Sequence, residues 1–211
     1  MSAISQHIAA IRATLPQGVQ LICVSKFHPA EAILEAYNAG ERDFGESRVQ
    51  ELCAKQPQLP ADIRWHFIGH LQTNKVRQIV PFVYLIHSVD SVHLLETINN
   101  EAAKINRMVN ILLEVHTANE TTKSGFLPEE LQAFDLNQYA NLNICGLMTM
   151  ATNTDDEAEI HRCFRLLNSL ADSDKRFAIR SMGMSDDYLL AIQDGSNMIR
   201  IGTDIFGARQ Y

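Results

Sequence analysis

Short apolar runs alternate with helical stretches from one end of the chain to the other. The runs are 19–25 (VQLICVS), 42–45 (RDFG), 64–69 (RWHFIG), 82–88 (FVYLIHS), 108–115 (MVNILLEV), 142–150 (LNICGLMTM), 177–182 (FAIRSM) and 197–202 (NMIRIG). Most are continuous rather than alternating, which is the pattern of strands covered on both faces. The stretches between them carry helix punctuation. Pro29 opens one and Gly40 closes it, with Ile33, Leu34 and Tyr37 on one stripe. Pro81 stops a second that starts at Thr73. Residues 91–106 are long and amphipathic, Pro128 starts another helix, and Ile160, Phe164 and Leu167 recur at helical spacing within 155–172. Ser185 reads as the cap of a helix with Asp186 and Asp187 in its first turn and Gly195 past its end.

Eight βα units nearly exhaust the 211 residues. An eight-fold β/α barrel commonly takes about 250, so the barrel expected here is a compact one, a single domain over residues 1–211. An open doubly wound sheet uses the same units, and periodicity alone does not separate the two. No GxGxxG follows the first run, which removes the local signal for a dinucleotide fold.

Charge narrows the partners. The net charge of −7 disfavours non-specific binding to nucleic acid or to a membrane surface, both polyanionic, while leaving room for a local pocket that takes one phosphate. Cys23, Cys53, Cys145 and Cys163 form no CxxC pair and no zinc spacing, so buried thiols in a reducing compartment are expected. Residues 1–15 read as an amphipathic helix rather than a signal peptide, and no stretch reaches the 18 apolar residues of a membrane span. A cytoplasmic protein is the expectation.

In either α/β architecture the ligand site lies at the carboxyl ends of the strands. Lys26 ends the first run, where desolvation of its ammonium would favour the neutral amine that Schiff-base chemistry needs. The segment Ser181-Met-Gly-Met-Ser185 leads from a run into a helix, and Arg200-Ile-Gly202-Thr203 ends the next run. Small residues and hydroxyls on these two neighbouring loops suit a phosphate. His66, His70, His87, His93 and His116 show no metal spacing, and no metal site is expected. Glu46 and Glu114 lie near strand ends without a spacing that demands acid–base work, and Met148, Met150, Met182 and Met184 read as barrel filler.

The stretches VSKFHP, FGESRVQE, WHFIGHLQTNK, IHSVDS, TKSGF, GLMTMAT, SMGMSDD and RIGTDIFGAR, in order from about residue 19 onward, resemble the pyridoxal phosphate homeostasis family, also called the YggS/PROSC family. The resemblance implies a (β/α)8 TIM-type barrel similar to the N-terminal domain of alanine racemase. It implies pyridoxal 5′-phosphate held as an internal aldimine on Lys26, phosphate contacts from Ser185 and from Gly202 and Thr203, Arg200 facing the pyridine nitrogen, and His66 and Met182 lining the cofactor. Two positions depart from the family pattern. Ser47, implied to lie beside the cofactor, stands where an asparagine is usual and offers a shorter side chain with one donor, and His70 replaces a proline.

Two functions fit such a site. One is a carrier that buffers pyridoxal phosphate and delivers it, with apo-enzymes that use the cofactor as acceptors. The other is a racemase-like enzyme using the same cofactor. Racemases of this barrel type draw a second base, a tyrosine, from a further domain or a partner subunit, and only Gln210 and Tyr211 follow RIGTDIFGAR. The expectation is therefore a binding protein with no catalytic residues and no turnover of its own. A phosphosugar enzyme on a plain barrel is a third reading, and a visible band from bound cofactor separates it from the other two.

Overall fold

Eight parallel strands close into a barrel in sequence order, β1-β2-β3-β4-β5-β6-β7-β8, with β8 paired back to β1 from Gln20↔Met198 to Cys23↔Ile201. They are β1 (Gln20–Val24), β2 (Asp43–Glu46), β3 (Arg64–Phe67), β4 (Leu85–Val89), β5 (Val109–Glu114), β6 (Leu142–Met148), β7 (Ile179–Ser181) and β8 (Met198–Ile201). Each falls within, or one residue beyond, an apolar run of the sequence. The closed order selects the barrel over the open sheet. The structure is a computed structural model that describes residues 2–119, 124–131 and 135–208.

Helices form the outer layer. α1 (Ala3–Thr14) precedes the barrel, capped by Ser2, whose hydroxyl accepts from Ser5 N. A helix then follows each strand: α2 (Ala30–Asn38), α3 (Val49–Lys55), α4 (Val76–Ile79), α5 (Val92–Lys104), α6 (Pro128–Leu131), α7 (Glu157–Ala171), α8 (Tyr188–Gln193) and α9 (Thr203–Phe206). Among the described residues none is long and apolar enough to cross a membrane.

Alternation along the strands makes two cores. Residues such as Leu21, Cys23, Phe44, Trp65, Phe67, Ile86, Ile111 and Leu113 point outward and pack with the helices. Their neighbours Ile22, Leu85, Leu112, Met148 and Met198 point inward and form a small apolar cluster inside the barrel.

Four expectations are corrected. α3 and the single turn α9 are helices that the sequence pattern left unassigned. α8 begins at Tyr188, so Ser185 does not cap it; Asp187 holds the cap position, and its Oδ1 accepts from Met184 N at 2.6 Å, closing the loop before the helix. Leu34 is exposed, and the buried stripe of α2 is Ile33 with Ala36. Cys53 and Cys145 are only half-buried; all four cysteines are free thiols.

Candidate functional site

Lys26 sits two residues past the end of β1, half-buried, in a turn built from unusual backbone. Phe27 has a φ of +66°, left-handed territory that an aromatic residue enters only under constraint. The constraint comes from α3. Phe27 N donates to Glu51 Oε1 at 2.7 Å, and Lys55 Nζ donates to Ser25 O at 2.9 Å, gripping the backbone on both sides of Lys26. Lys55 also donates to Glu46 Oε1 at 2.7 Å and Glu51 Oε1 at 2.6 Å, and Ser25 Oγ donates to Glu46 Oε1 at 2.7 Å. Burial pushes the Glu46 carboxyl up to about 7, against the opposing pull of Lys55 and Ser25. Its Oε2 finds no hydrogen-bond partner among the described residues.

A cleft of about 210 Å³ opens beside this turn, at the carboxyl end of the barrel. Five residues anticipated for the site line it together: Lys26 after β1, Ser185 after β7, Arg200 on β8, and Gly202 and Thr203 just beyond β8. His28, Ile68, Met150, Met184 and Asp186 complete much of the wall. His28 is buried and stacks on Phe206, ring centroids 5.1 Å apart, which fixes the far side of the lysine turn. It was missed in the sequence because an imidazole two residues from the lysine shows no spacing of its own.

Arg200 is buried and held on two sides. Its Nη1 donates to Ser181 O at 2.8 Å and Ser181 Oγ at 2.6 Å, and its Nη2 donates to Thr149 O at 3.0 Å. Burial pushes the guanidinium down to about 10, with Asp187 and Glu114 pulling the other way, so it stays charged at neutral pH. Gly183 holds the preceding loop in place. Its φ is +98°, a Cβ there would meet Ala191 Cβ at 2.7 Å and Tyr188 Cα at 2.9 Å, and its carbonyl accepts from Arg200 N at 3.0 Å.

Three anticipated residues are set apart from the cleft. Ser47 is half-buried, and its backbone lies so close to Gly69 that a Cβ on that glycine would meet Ser47 O at 2.2 Å. Met182 is buried in the outer core between strands and helices. His66 is buried inside the barrel, where Nε2 meets Asp43 Oδ1 at 3.0 Å and Nδ1 meets His87 Nε2 at 2.9 Å. His70 is exposed at the rim, paired with Asp90 at 3.1 Å. Of the TKSGF stretch, Thr122 and Lys123 lie outside the described residues, as does Arg209 of the last motif. Among the described residues no cluster of three or more His, Cys, Asp or Glu side chains could hold a metal ion.

A larger hollow of about 440 Å³ adjoins the cleft, sharing Met150, Met184 and Asp186 with it. Among the described residues its walls carry Asp155, Glu157, Asp186 and Asp187 and no lysine or arginine, a lining that disfavours the anion that the lysine cleft suits. The smaller cleft is therefore the candidate site for a phosphorylated aldehyde, since its lining holds an amine, a fixed guanidinium, a Gly-Thr turn and a serine.

The chain is similar to known proteins over nearly its whole length. Residues 1–210 match the family model described as alanine racemase, N-terminal domain. The chain is 39% identical to the pyridoxal phosphate homeostasis protein of Pseudomonas aeruginosa, over all of this chain and 98% of that protein. It is 41% identical to the protein of that name from Synechocystis, over 94% of this chain and 95% of that protein. PipY of Synechococcus elongatus, solved with PLP bound, superposes with a TM-score of 0.85 at 40% identity, covering 97% of this chain and 100% of PipY. The alanine racemase of Clostridium difficile 630 shares the fold alone, with a TM-score of 0.81 at 15% identity over 99% of this chain and 57% of the racemase.

Proposed function

The chain belongs to the alanine racemase N-terminal domain family, among its pyridoxal phosphate homeostasis proteins, and from that premise we propose that it binds pyridoxal 5′-phosphate in the Lys26 cleft and holds it for delivery to apo-enzymes. The observation that carries this reading is the convergence of Lys26, Arg200, Ser185, Gly202 and Thr203 on one cleft from three separate strand ends. Each group suits one part of the cofactor. The Lys26 amine would hold the cofactor through its aldehyde. Arg200, a donor with no acceptor, suits an unprotonated ring nitrogen. Ser185 and the Gly202-Thr203 turn offer hydroxyls and backbone amides to the phosphate. In this reading Ser47, His66 and Met182 act behind the contact surface rather than on it.

Bound as an imine, this cofactor supplies an electron sink for amino-acid chemistry. The residues around it point to holding rather than turnover. Arg200 disfavours the protonated ring that makes the sink strong, and among the described residues no tyrosine lines the cleft as a second base. Relatives that carry the name homeostasis protein support a carrier role. The free thiols and the net charge of −7 fit a cytoplasmic protein whose partners are cofactor and apo-enzymes rather than nucleic acid.

The test is a cofactor titration followed by visible absorption. Wild-type protein turns yellow and saturates, and Lys26→Ala loses the imine band while keeping a weaker, phosphate-dependent affinity. Loaded protein reactivates an apo-enzyme and shows no racemase or transaminase turnover above that of free cofactor. Turnover of one amino acid at about 1 s⁻¹, inside the ordinary enzyme range, would instead make this an enzyme.

A further inference from the structure

The barrel interior carries a file of polar side chains where barrels of this kind are filled by branched apolar ones. It runs Asp43 (β2), His66 (β3), His87 (β4), Ser181 (β7), Arg200 (β8), with successive contacts of 3.0, 2.9, 3.0 and 2.6 Å. All five are buried. The step from His87 to Ser181 crosses the lumen, since β5 and β6 lie between their strands in the closed order. Building on the cofactor reading above, we infer that Asp43, His66, His87 and Ser181 are positioning residues that orient Arg200 toward the ring of the bound cofactor through one directed chain of hydrogen bonds.

The direction follows from donor and acceptor chemistry. Asp43 accepts from Arg64 Nε and Nη2, each at 2.6 Å, and although burial alone would raise its carboxyl, the bonds from Arg64 and His66 hold it far below the usual range. An ionised carboxylate only accepts, so His66 Nε2 carries the hydrogen. Burial keeps both imidazoles neutral, pushing each downward, and Arg200 adds to this at His87. His66 Nδ1 is then a bare acceptor and takes the hydrogen of His87 Nε2. His87 Nδ1 in turn takes the Ser181 hydroxyl hydrogen, which leaves the Ser181 oxygen to accept from Arg200 Nη1. A guanidinium only donates, so the two ends of the file demand the same arrangement. Every bond points toward Asp43, and a single reversed tautomer breaks the file at both of its neighbours.

The experiment is ¹⁵N NMR of the histidine side chains in ligand-free protein at neutral pH, paired with the visible spectrum after pyridoxal phosphate is added. In wild type, His66 and His87 are both neutral with the hydrogen on Nε2. Ser181→Ala removes the last link with little loss of volume. It still attaches the cofactor at Lys26, but the bound band moves and affinity falls about tenfold, the worth of one hydrogen bond. Asp43→Asn keeps both hydrogens on Nε2, because the amide oxygen still accepts from His66 and the Arg200 end of the file is unchanged. An Nδ1–H tautomer at either histidine in wild type overturns the inference, as does a Ser181→Ala protein with the wild-type band and affinity. If Asp43→Asn fails to fold, wild type and Ser181→Ala still decide. Absence of any cofactor adduct in wild type would overturn the parent reading, and the tautomers would still decide the direction of the file.

Discussion

At the scale of single residues the site depends on groups that are costly to bury. Glu46 gives a pH signature that can be read without ligand. Its folded carboxyl titrates near 7 against an ordinary 4.5, because burial disfavours the charge. Between those two values the folded protein binds more protons than the unfolded chain, so stability falls as pH rises from about 4.5 to about 7 and this contribution is flat above that. Glu46→Gln should flatten that slope in thermal melts recorded from pH 5 to 8. A variant with the wild-type slope would mean another group titrates there. Gly183 is the second residue-scale test. Its positive φ and the 2.7 Å approach of a Cβ to Ala191 give Gly183→Ala a cost of about 1–3 kcal/mol, measured by chemical denaturation. Pyridoxal phosphate binding should weaken with it, because the same loop carbonyl receives Arg200 N.

At the scale of elements, all eight strands were legible, because strands buried on both faces read as unbroken apolar runs. α3 was not. It spans seven residues, and Glu51 and Lys55 turn inward toward the lysine turn instead of solvating the helix, so its apolar stripe is short, only Val49, Leu52 and Cys53. The helix after β7 was placed too early, because Ser185-Asp-Asp looks like a cap and first turn while Asp187 is spent on closing the loop. Ser185 is thereby left on the cleft wall beside the β8 turn. These two loop ends carry the phosphate prediction. A hydroxyl bond to a charged oxygen contributes about 1.5–3 kcal/mol, so Ser185→Ala and Thr203→Ala should each weaken pyridoxal phosphate binding about tenfold or more. Unphosphorylated pyridoxal should bind far more weakly than the phosphate ester and be nearly indifferent to both substitutions. Equal affinities for ester and alcohol, measured by fluorescence titration, would refute a phosphate anchor.

At the scale of the whole molecule, closure of the barrel explains what the chain order concealed. Lys26 and Thr203 are far apart in sequence and become neighbours because β8 pairs with β1. The motifs named both residues, and the closed sheet brings them to one cleft. The polar file was hidden for the same reason, since His87 and Ser181 are 94 residues apart and meet across the lumen. His66, expected on the cofactor, goes into that file, and Met182, also expected there, follows the inward-facing Ser181 and so turns to the outer core. The fold thus gathers one amine, one guanidinium and one small-residue cradle at its carboxyl rim, and the account stands on the amine. The most direct measurement is borohydride reduction of the protein loaded with pyridoxal 5′-phosphate, followed by protease digestion and mass spectrometry of the labelled peptide. A single stoichiometric label on Lys26 is the predicted result; a label on Lys75 or another lysine with Lys26 unmodified, or no label on a protein that has bound the cofactor, would contradict it.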